Sequence, residues 1–155
     1  MKKVIITGGN SGIGYQAAKQ LAEKGWSVTL FCRRKEAAEQ ACEKIRQQTG
    51  NPHVDYILVD LSEMKSVRKA VEQYIQKEVT LDVLINNAAD FDLSIKSPVI
   101  TKDGLEKQFA TNVGAPFLLS SLLKDLLEKS ESGRIINISS QGLVLYPCLL
   151  YTSLM

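Results

Sequence analysis

The stretch KVIITGGNSGIG, residues 3–14, decides how this chain folds. An apolar strand pattern runs directly into a glycine-rich turn, and a helical pattern begins at about residue 12. Glycines at positions 8, 12 and 14 permit a tight turn, the close approach of a pyrophosphate, and close packing of the helix on the strand. The start of a helix also offers unpaired N–H groups and a partial positive charge to phosphate. The stretch therefore predicts a strand, a phosphate-binding turn and a helix, in that order.

Four more apolar runs follow the first one and are rich in Val, Ile and Leu. They are SVTLFC (27–32), VDYILVD (54–60), LDVLINN (81–87) and RIINISS (134–140). Nearly continuous apolar runs are typical of parallel strands that are buried on both faces. Helical patterns separate them at residues 12–24, 35–48, 63–77 and about 102–130. This alternation predicts an α/β fold with an open, doubly wound parallel sheet.

Each of these apolar runs ends in polar residues or glycines. The clusters are Thr7-Gly8-Gly9, Arg33-Arg34, Asp60, Asn86-Asn87 and Ser139-Ser140. In open α/β sheets, ligands bind in the crevice outside the carboxyl ends of the strands. We therefore expect one ligand site along this edge of the sheet.

The composition is that of an ordinary globular protein. The 155 residues are 45% hydrophobic and 23% charged, and they fit one domain. The net charge of +2 is too small to indicate a nucleic-acid partner, and the longest near-apolar run, LVLYPCLLY, is too short to span a bilayer. The three cysteines have neither metal-ligand spacing nor a disulfide framework, so no metal is expected. We expect a cytoplasmic protein without a membrane or nucleic-acid partner.

The segment TGGNSGIG (7–14) resembles the TGxxxGIG motif of the short-chain dehydrogenase/reductase family, and the resemblance extends over about residues 3–142. The stretch GLEKQFATNVGAPFLLSSLLKDLL (104–127) resembles the retinol-dehydrogenase-like branch. The resemblance implies a Rossmann-type sheet, of which this chain holds the N-terminal five strands only. It also implies an oxidoreductase that interconverts a small-molecule carbonyl and an alcohol, within a parent protein expected to be a homo-oligomer. By this resemblance the first turn holds the dinucleotide through Gly8, Asn10, Ser11, Gly12, Ile13 and Gly14.

The end of the second strand indicates which nicotinamide cofactor is bound. NAD sites usually have a carboxylate there for the ribose 2′-hydroxyl, whereas this chain has Cys32 followed by two arginines. A guanidinium can bind a 2′-phosphate through two parallel hydrogen bonds, and a carboxylate would repel it. We favour Arg33 as the phosphate ligand, with Arg34 solvated or assisting, and we predict NADP(H) as the cofactor. The alternative is that the arginines only solvate the start of the next helix.

The resemblance also implies cofactor contacts at the third and fourth strand ends. Asp60, with Leu61 beside it, would bind the adenine amine, although Asp60 or Ser62 could instead cap the following helix. Asn87 and Ala88 would lie beside the cofactor ribose, with Asn86 tying strands together. The family pattern here is NNAG, so Ala89 is a departure that would cost stability if the backbone needed a positive φ.

Two catalytic residues of the family have counterparts in this chain, Asn112 in FATNVGAP and Ser140 in NISS. Pro116 has no N–H, so the carbonyl of residue 112 loses its helical partner and can hold a water for a proton relay. A simple proline kink, with Asn112 hydrogen-bonded locally, is the alternative. The Ser140 hydroxyl would polarise a substrate carbonyl, although such hydroxyls are also common in turns.

The family's Tyr-x-x-x-Lys pair is incomplete in this chain, because Met155 follows Tyr151 where a lysine is needed. CLLYTS (148–153) is also what a sequencing-transposon adapter encodes in one frame. We therefore expect a dinucleotide-binding domain over residues 1–147, a non-native tail over 148–155, and no activity from this N-terminal fragment alone. A divergent natural C-terminus is the alternative for the tail. A non-catalytic dinucleotide-binding or redox-sensing module is the alternative function.

Overall fold

A computed structural model describes residues 1–91 and 97–139 of the chain. It contains five strands, β1 (Lys3–Thr7), β2 (Ser27–Cys32), β3 (Val54–Leu58), β4 (Val83–Asn86) and β5 (Arg134–Asn137). All of them pair in parallel, and their order across the sheet is β3-β2-β1-β4-β5. The chain therefore winds outward from β1 in one direction and then from β4 in the other. This is the predicted doubly wound α/β sheet.

Three regular helices connect the first four strands, at the places that the apolar pattern predicts. They are α1 (Gly12–Glu23), α2 (Lys35–Thr49) and α3 (Met64–Lys77). Between β4 and β5 the chain forms α4 (Lys107–Phe109), a π-helical turn (Ala110–Gly114), α5 (Ala115–Leu122) and α6 (Lys124–Glu128). Within residues 1–91 and 97–139, no helix is long and apolar enough to cross a membrane.

The strands bury side chains on both faces of the sheet because successive residues point to opposite sides. Val4 and Ile6 of β1 belong to a cluster with α1 and α2, whereas Ile5 belongs to a cluster with α3, α5 and α6. All three of these β1 side chains are fully buried. Strand β1 is therefore the centre of a three-layer molecule, and its carboxyl end lies between the two halves of the sheet.

The long helix predicted over residues 102–130 is wrong in its start and in its continuity. Residues 101–105 form a turn, in which Gly104 has a φ of +76° and the N–H of Thr101 donates to the carbonyl of Leu105. Downstream, the N–H of Ala115 bonds five residues back, to the carbonyl of Ala110. Pro116 lacks the N–H that would continue an α-helical ladder, which explains why the turn is widened here.

The turn before α4 is held against the start of α3. The carboxylate of Asp103 accepts a hydrogen bond of 2.8 Å from the N–H of Met64, and the ammonium of Lys102 lies 3.1 Å from the carboxylate of Glu63. Asp103 thus satisfies one of the free N–H groups at the helix start, where a negative charge is also favourable. This contact fixes the entrance to α4 relative to the sheet.

Candidate functional site

The glycine turn that follows β1 is as tight as the sequence predicts. Gly8 has a φ of +65° and Gly12 a φ of +54°, conformations that side chains rarely adopt. Gly14 lies in the first turn of α1, where a Cβ atom would come within 2.4 Å of the Asn87 amide nitrogen and 2.7 Å of the Gly8 carbonyl oxygen. Only glycine at position 14 allows this close approach of the helix to the turn. Ser11, the N-cap of α1, makes no side-chain capping bond to the helix.

Thr7 and Asn87 join the glycine turn to the end of β4. The Thr7 hydroxyl accepts hydrogen bonds from the N–H groups of Asn87 (2.9 Å) and Ala88 (3.0 Å). The Asn87 side chain returns a bond of 3.0 Å to the Thr7 carbonyl. Asn87 therefore holds the glycine turn against the end of β4. Its contact with the cofactor ribose stays a prediction.

A cleft of about 450 Å³ opens at the carboxyl ends of the strands. Seven of the predicted cofactor-binding residues line it, namely Gly8, Asn10, Ser11, Arg33, Asp60, Leu61 and Ala88. Gly12, Ile13, Gly14 and Asn87 are not among the lining residues, and of these four Gly14 and Asn87 shape the turn beneath the cleft. The structure thus brings residues from three strand ends and from the first turn into one concave site.

The end of β2 contributes cationic rather than anionic groups to the cleft. Arg33 and Arg34 are exposed and line it, and among the described residues neither is within ion-pair distance of a carboxylate. Cys32 is buried beside them, and its burial raises the pKa of the thiol to about 11, against the opposing effect of hydrogen bonds from the N–H groups of Asn10 and Gly9. Position 32 therefore carries no negative charge at neutral pH.

Asp60 lines the cleft without capping a helix. One of its carboxylate oxygens accepts hydrogen bonds from the N–H and the hydroxyl of Ser62, at 2.9 and 2.7 Å. The N-cap of α3 is Glu63, so the expectation that Asp60 or Ser62 caps this helix is wrong. The short turn from Asp60 to Ser62 satisfies one carboxylate oxygen of Asp60 locally, and α3 begins after it at Met64. The adenine contact of Asp60 stays a prediction.

The loop after β4 is unstrained despite its departure from the family pattern. No residue other than glycine has a positive φ in residues 1–91 and 97–139, so the cost foreseen for Ala89 does not arise. Asn86 donates a hydrogen bond of 2.8 Å to the Asn137 side chain, which ties β4 to β5 as expected.

Asn112 lies in the π-helical turn and holds the loop after β4 with its side chain. Its amide oxygen accepts a bond of 2.7 Å from the N–H of Asp90, and its amide nitrogen donates one of 2.8 Å to the Asp90 carbonyl. Asp90 also pairs with Lys107, whose ammonium lies 2.9 Å from the carboxylate. The relay role of the Asn112 carbonyl stays a prediction. Ser140, Tyr151 and residues 148–155 lie outside the described residues.

The model of the family described as short chain dehydrogenase matches residues 2–150. The chain belongs to this family. Retinol dehydrogenase 13 of Mus musculus is 44% identical to it over 140 residues, which are 90% of this chain and 41% of the relative. Among solved structures, the NADP active-site complex of RhlG from Pseudomonas aeruginosa is 30% identical with a TM-score of 0.76, over 90% of this chain and 54% of that one. A metagenomic short-chain oxidoreductase in complex with NADP is 26% identical with a TM-score of 0.77, over 90% and 61%.

These findings confirm the predicted short-chain dehydrogenase family, its retinol-dehydrogenase-like branch and the Rossmann-type fold. The chain spans less than half the length of the curated relatives it resembles.

Three polar residues that line the cleft were not predicted from the sequence, namely Asp90, Lys107 and Thr111. Thr7 was expected at this edge of the sheet, and the structure adds its hydrogen bonds to the end of β4. Asp90 and Lys107 are 17 positions apart and belong to no shared motif, so only the fold reveals their contact.

Proposed function

We propose that this short-chain dehydrogenase chain is the dinucleotide-binding part of an NADP(H)-dependent oxidoreductase that interconverts a small-molecule carbonyl and an alcohol. The arginine pair at the end of β2 is the observation that carries the choice of NADP(H). Both side chains are exposed at the cleft, and Cys32 occupies the position where a carboxylate would select NAD. The NADP complexes of RhlG and of the metagenomic oxidoreductase support this choice.

The first turn has the shape that a pyrophosphate needs. Gly8 and Gly14 approach each other so closely that a Cβ at position 14 would lie 2.7 Å from the Gly8 carbonyl oxygen. The first N–H groups of α1 have no side-chain cap from Ser11, so they remain available as donors. A pyrophosphate at this helix start would receive backbone hydrogen bonds and the favourable end of the helix dipole.

Two residues of this chain would handle protons in the reaction. The cofactor supplies or accepts the hydride when it is bound. We propose that the Asn112 carbonyl holds a water of the proton path, and that the Ser140 hydroxyl donates a hydrogen bond to the substrate oxygen. The widened turn at Ala110–Gly114 and the absent N–H of Pro116 support the first of these roles.

A fluorescence titration with NADPH and NADH tests the proposed cofactor. Arg33→Asp should weaken NADPH binding about 10- to 100-fold, because a charge-assisted hydrogen bond contributes about 1.5–3 kcal/mol and every 1.4 kcal/mol is tenfold in affinity. NADH binding should change little. Arg68→Asp, which makes the same charge change on the exposed face of α3, is the matched control. Equal affinities of the wild type for both cofactors would contradict the proposal.

A second function, a non-catalytic dinucleotide-binding or redox-sensing module, is favoured by one feature of the sequence. Met155 follows Tyr151 where the family has a lysine, so the positive charge that the family places at this spacing is missing. We propose that the 155-residue chain binds cofactor without turnover. An assay with NADPH and a panel of aldehydes and ketones tests this. Turnover that Tyr151→Phe abolishes would show instead that this tyrosine is catalytic.

We also propose that the whole protein is a homo-oligomer. Phe109, Val113 and Phe117 along the interrupted helix expose 44%, 47% and 76% of their surface. Neighbouring large apolar side chains that are exposed together often mark contact surfaces between proteins. Light scattering of Phe117→Asp against wild type tests this, and an unchanged molar mass would contradict it.

A further inference from the structure

The ion pair between Asp90 and Lys107 lies within the cleft rather than on the open surface. Both side chains line it, and they expose only 21% and 30% of their surface. Asp90 lies in the loop after β4, and Lys107 begins α4, so the pair joins this loop to the helix. Partial burial of two charges costs solvation free energy, so another effect must favour the position of this ion pair in the cleft.

Anchoring of the loop after β4 does not explain why this ion pair lies in the cleft. The backbone of Asp90 is already held at both its N–H and its carbonyl by the Asn112 side chain, at 2.7 and 2.8 Å. These two bonds involve neither the Asp90 carboxylate nor Lys107. A neutral residue at position 90 would keep the same backbone contacts.

The balance of charges in the cleft explains why Asp90 is paired with Lys107. Among residues 1–91 and 97–139, the charged side chains that line the cleft are Arg33, Arg34, Lys107, Asp60 and Asp90. A dinucleotide that carries a pyrophosphate and a 2′-phosphate is strongly anionic, and an uncompensated carboxylate beside it would oppose its binding. In a cleft partly shielded from water this repulsion is stronger than in bulk solvent.

We propose that Lys107 is a positioning residue for the dinucleotide, whose ammonium neutralises Asp90 so that the loop after β4 can lie beside an anionic cofactor. The inference rests on the proposed function, since it presumes that the cleft binds NADP(H). It assigns to Lys107 an effect through Asp90, not a contact with the reacting atoms.

The test is a double-mutant cycle on Asp90 and Lys107, with NADPH affinity measured by fluorescence titration. Lys107→Met should weaken binding about tenfold, which corresponds to about 1.4 kcal/mol. Asp90→Asn should tighten binding by about two- to threefold, because it leaves Lys107 as a net cation in the cleft. The double variant and Lys107→Arg should both recover affinity to within about threefold of the wild type. At 1 M salt, where the screening length is about 3 Å, the defect of Lys107→Met should shrink to below about threefold.

The outcomes separate this inference from the proposed function. A wild type without saturable NADPH binding would overturn the proposed function and this inference with it. A wild type that binds NADPH while Lys107→Met binds equally well would overturn the inference alone. If both single variants and the double variant lose NADPH affinity to a similar extent, and the loss does not depend on salt, the pair has a structural role and does not act by charge neutralisation.

Discussion

Replacing Gly14 by alanine adds a single methyl group and should lower the free energy of unfolding markedly. A methyl group there would meet the Asn87 amide nitrogen at 2.4 Å and the Gly8 carbonyl oxygen at 2.7 Å. The second contact is with backbone in a turn whose own φ of +65° leaves it little room to adjust. The Asn87 side chain could rotate away, but it would then lose its bond of 3.0 Å to the Thr7 carbonyl.

The expected size of the effect follows from three contributions. Overpacking of a close contact costs about 1–3 kcal/mol, and weakening of the Asn87 bond adds about 1 kcal/mol. Replacing glycine by alanine within a helix returns at most about 1 kcal/mol. We therefore expect Gly14→Ala to lower the free energy of unfolding by about 1–3 kcal/mol. In a domain of this size that is a fall in Tm of about 2–12 °C.

Urea and thermal unfolding measure this loss directly, and NADPH titration measures its effect on the site. Gln20→Ala is the matched control, because Gln20 is an exposed residue of the same helix and should change stability by less than about 0.5 kcal/mol. A Gly14→Ala protein as stable as Gln20→Ala, with unchanged NADPH affinity, would refute the view that the helix and the glycine turn are in obligatory contact.

Two further predictions concern stability. Burial raises the pKa of the Cys32 thiol to about 11 and that of Cys42 to about 12 from an ordinary value of 9.0, so the folded state holds these protons more tightly than the unfolded chain. The stabilisation from these two groups should be fully present below pH 9 and should be lost as the pH rises, up to about pH 11 for Cys32 and about pH 12 for Cys42. Each thiol should contribute a slope of at most about 1.4 kcal/mol per pH unit in its window, and Cys42→Ala should flatten the slope in urea titrations under reducing conditions. Asn51 is buried and donates hydrogen bonds of 2.9 Å to the carbonyls of Ala22 and Trp26, so Asn51→Leu should cost about 2–4 kcal/mol, and an unchanged urea midpoint would contradict it.

The sequence predicted those features whose causes are local. The run KVIIT and the glycines behind it specify a buried strand and a tight turn through neighbouring residues alone, and the structure has both. The start of α4 was misplaced because a contact that is distant in sequence and a glycine beside the predicted start decide it together. Asp103 caps α3 instead of entering a helix, and Gly104 takes a left-handed conformation. The pairing of Asp90 with Lys107 depends on the meeting of a loop and a helix, which no short-range pattern encodes.

The π-helical turn also changes how the apolar pattern of this segment is read. Ala110 and Ala115 are both fully buried although they are five positions apart, whereas the next buried residues, Leu119 and Leu123, follow at the usual spacing of four. The turn thus contains one residue more than an α-helix would need. Each residue of an α-helix rotates the chain by about 100°, so deleting one residue from 110–114 would bring the buried positions to a spacing of four and turn everything before the deletion by that angle relative to α5. Asn112 would then face away from Asp90, and the irregular turn is therefore what allows one helix both to pack on the sheet and to hold the loop.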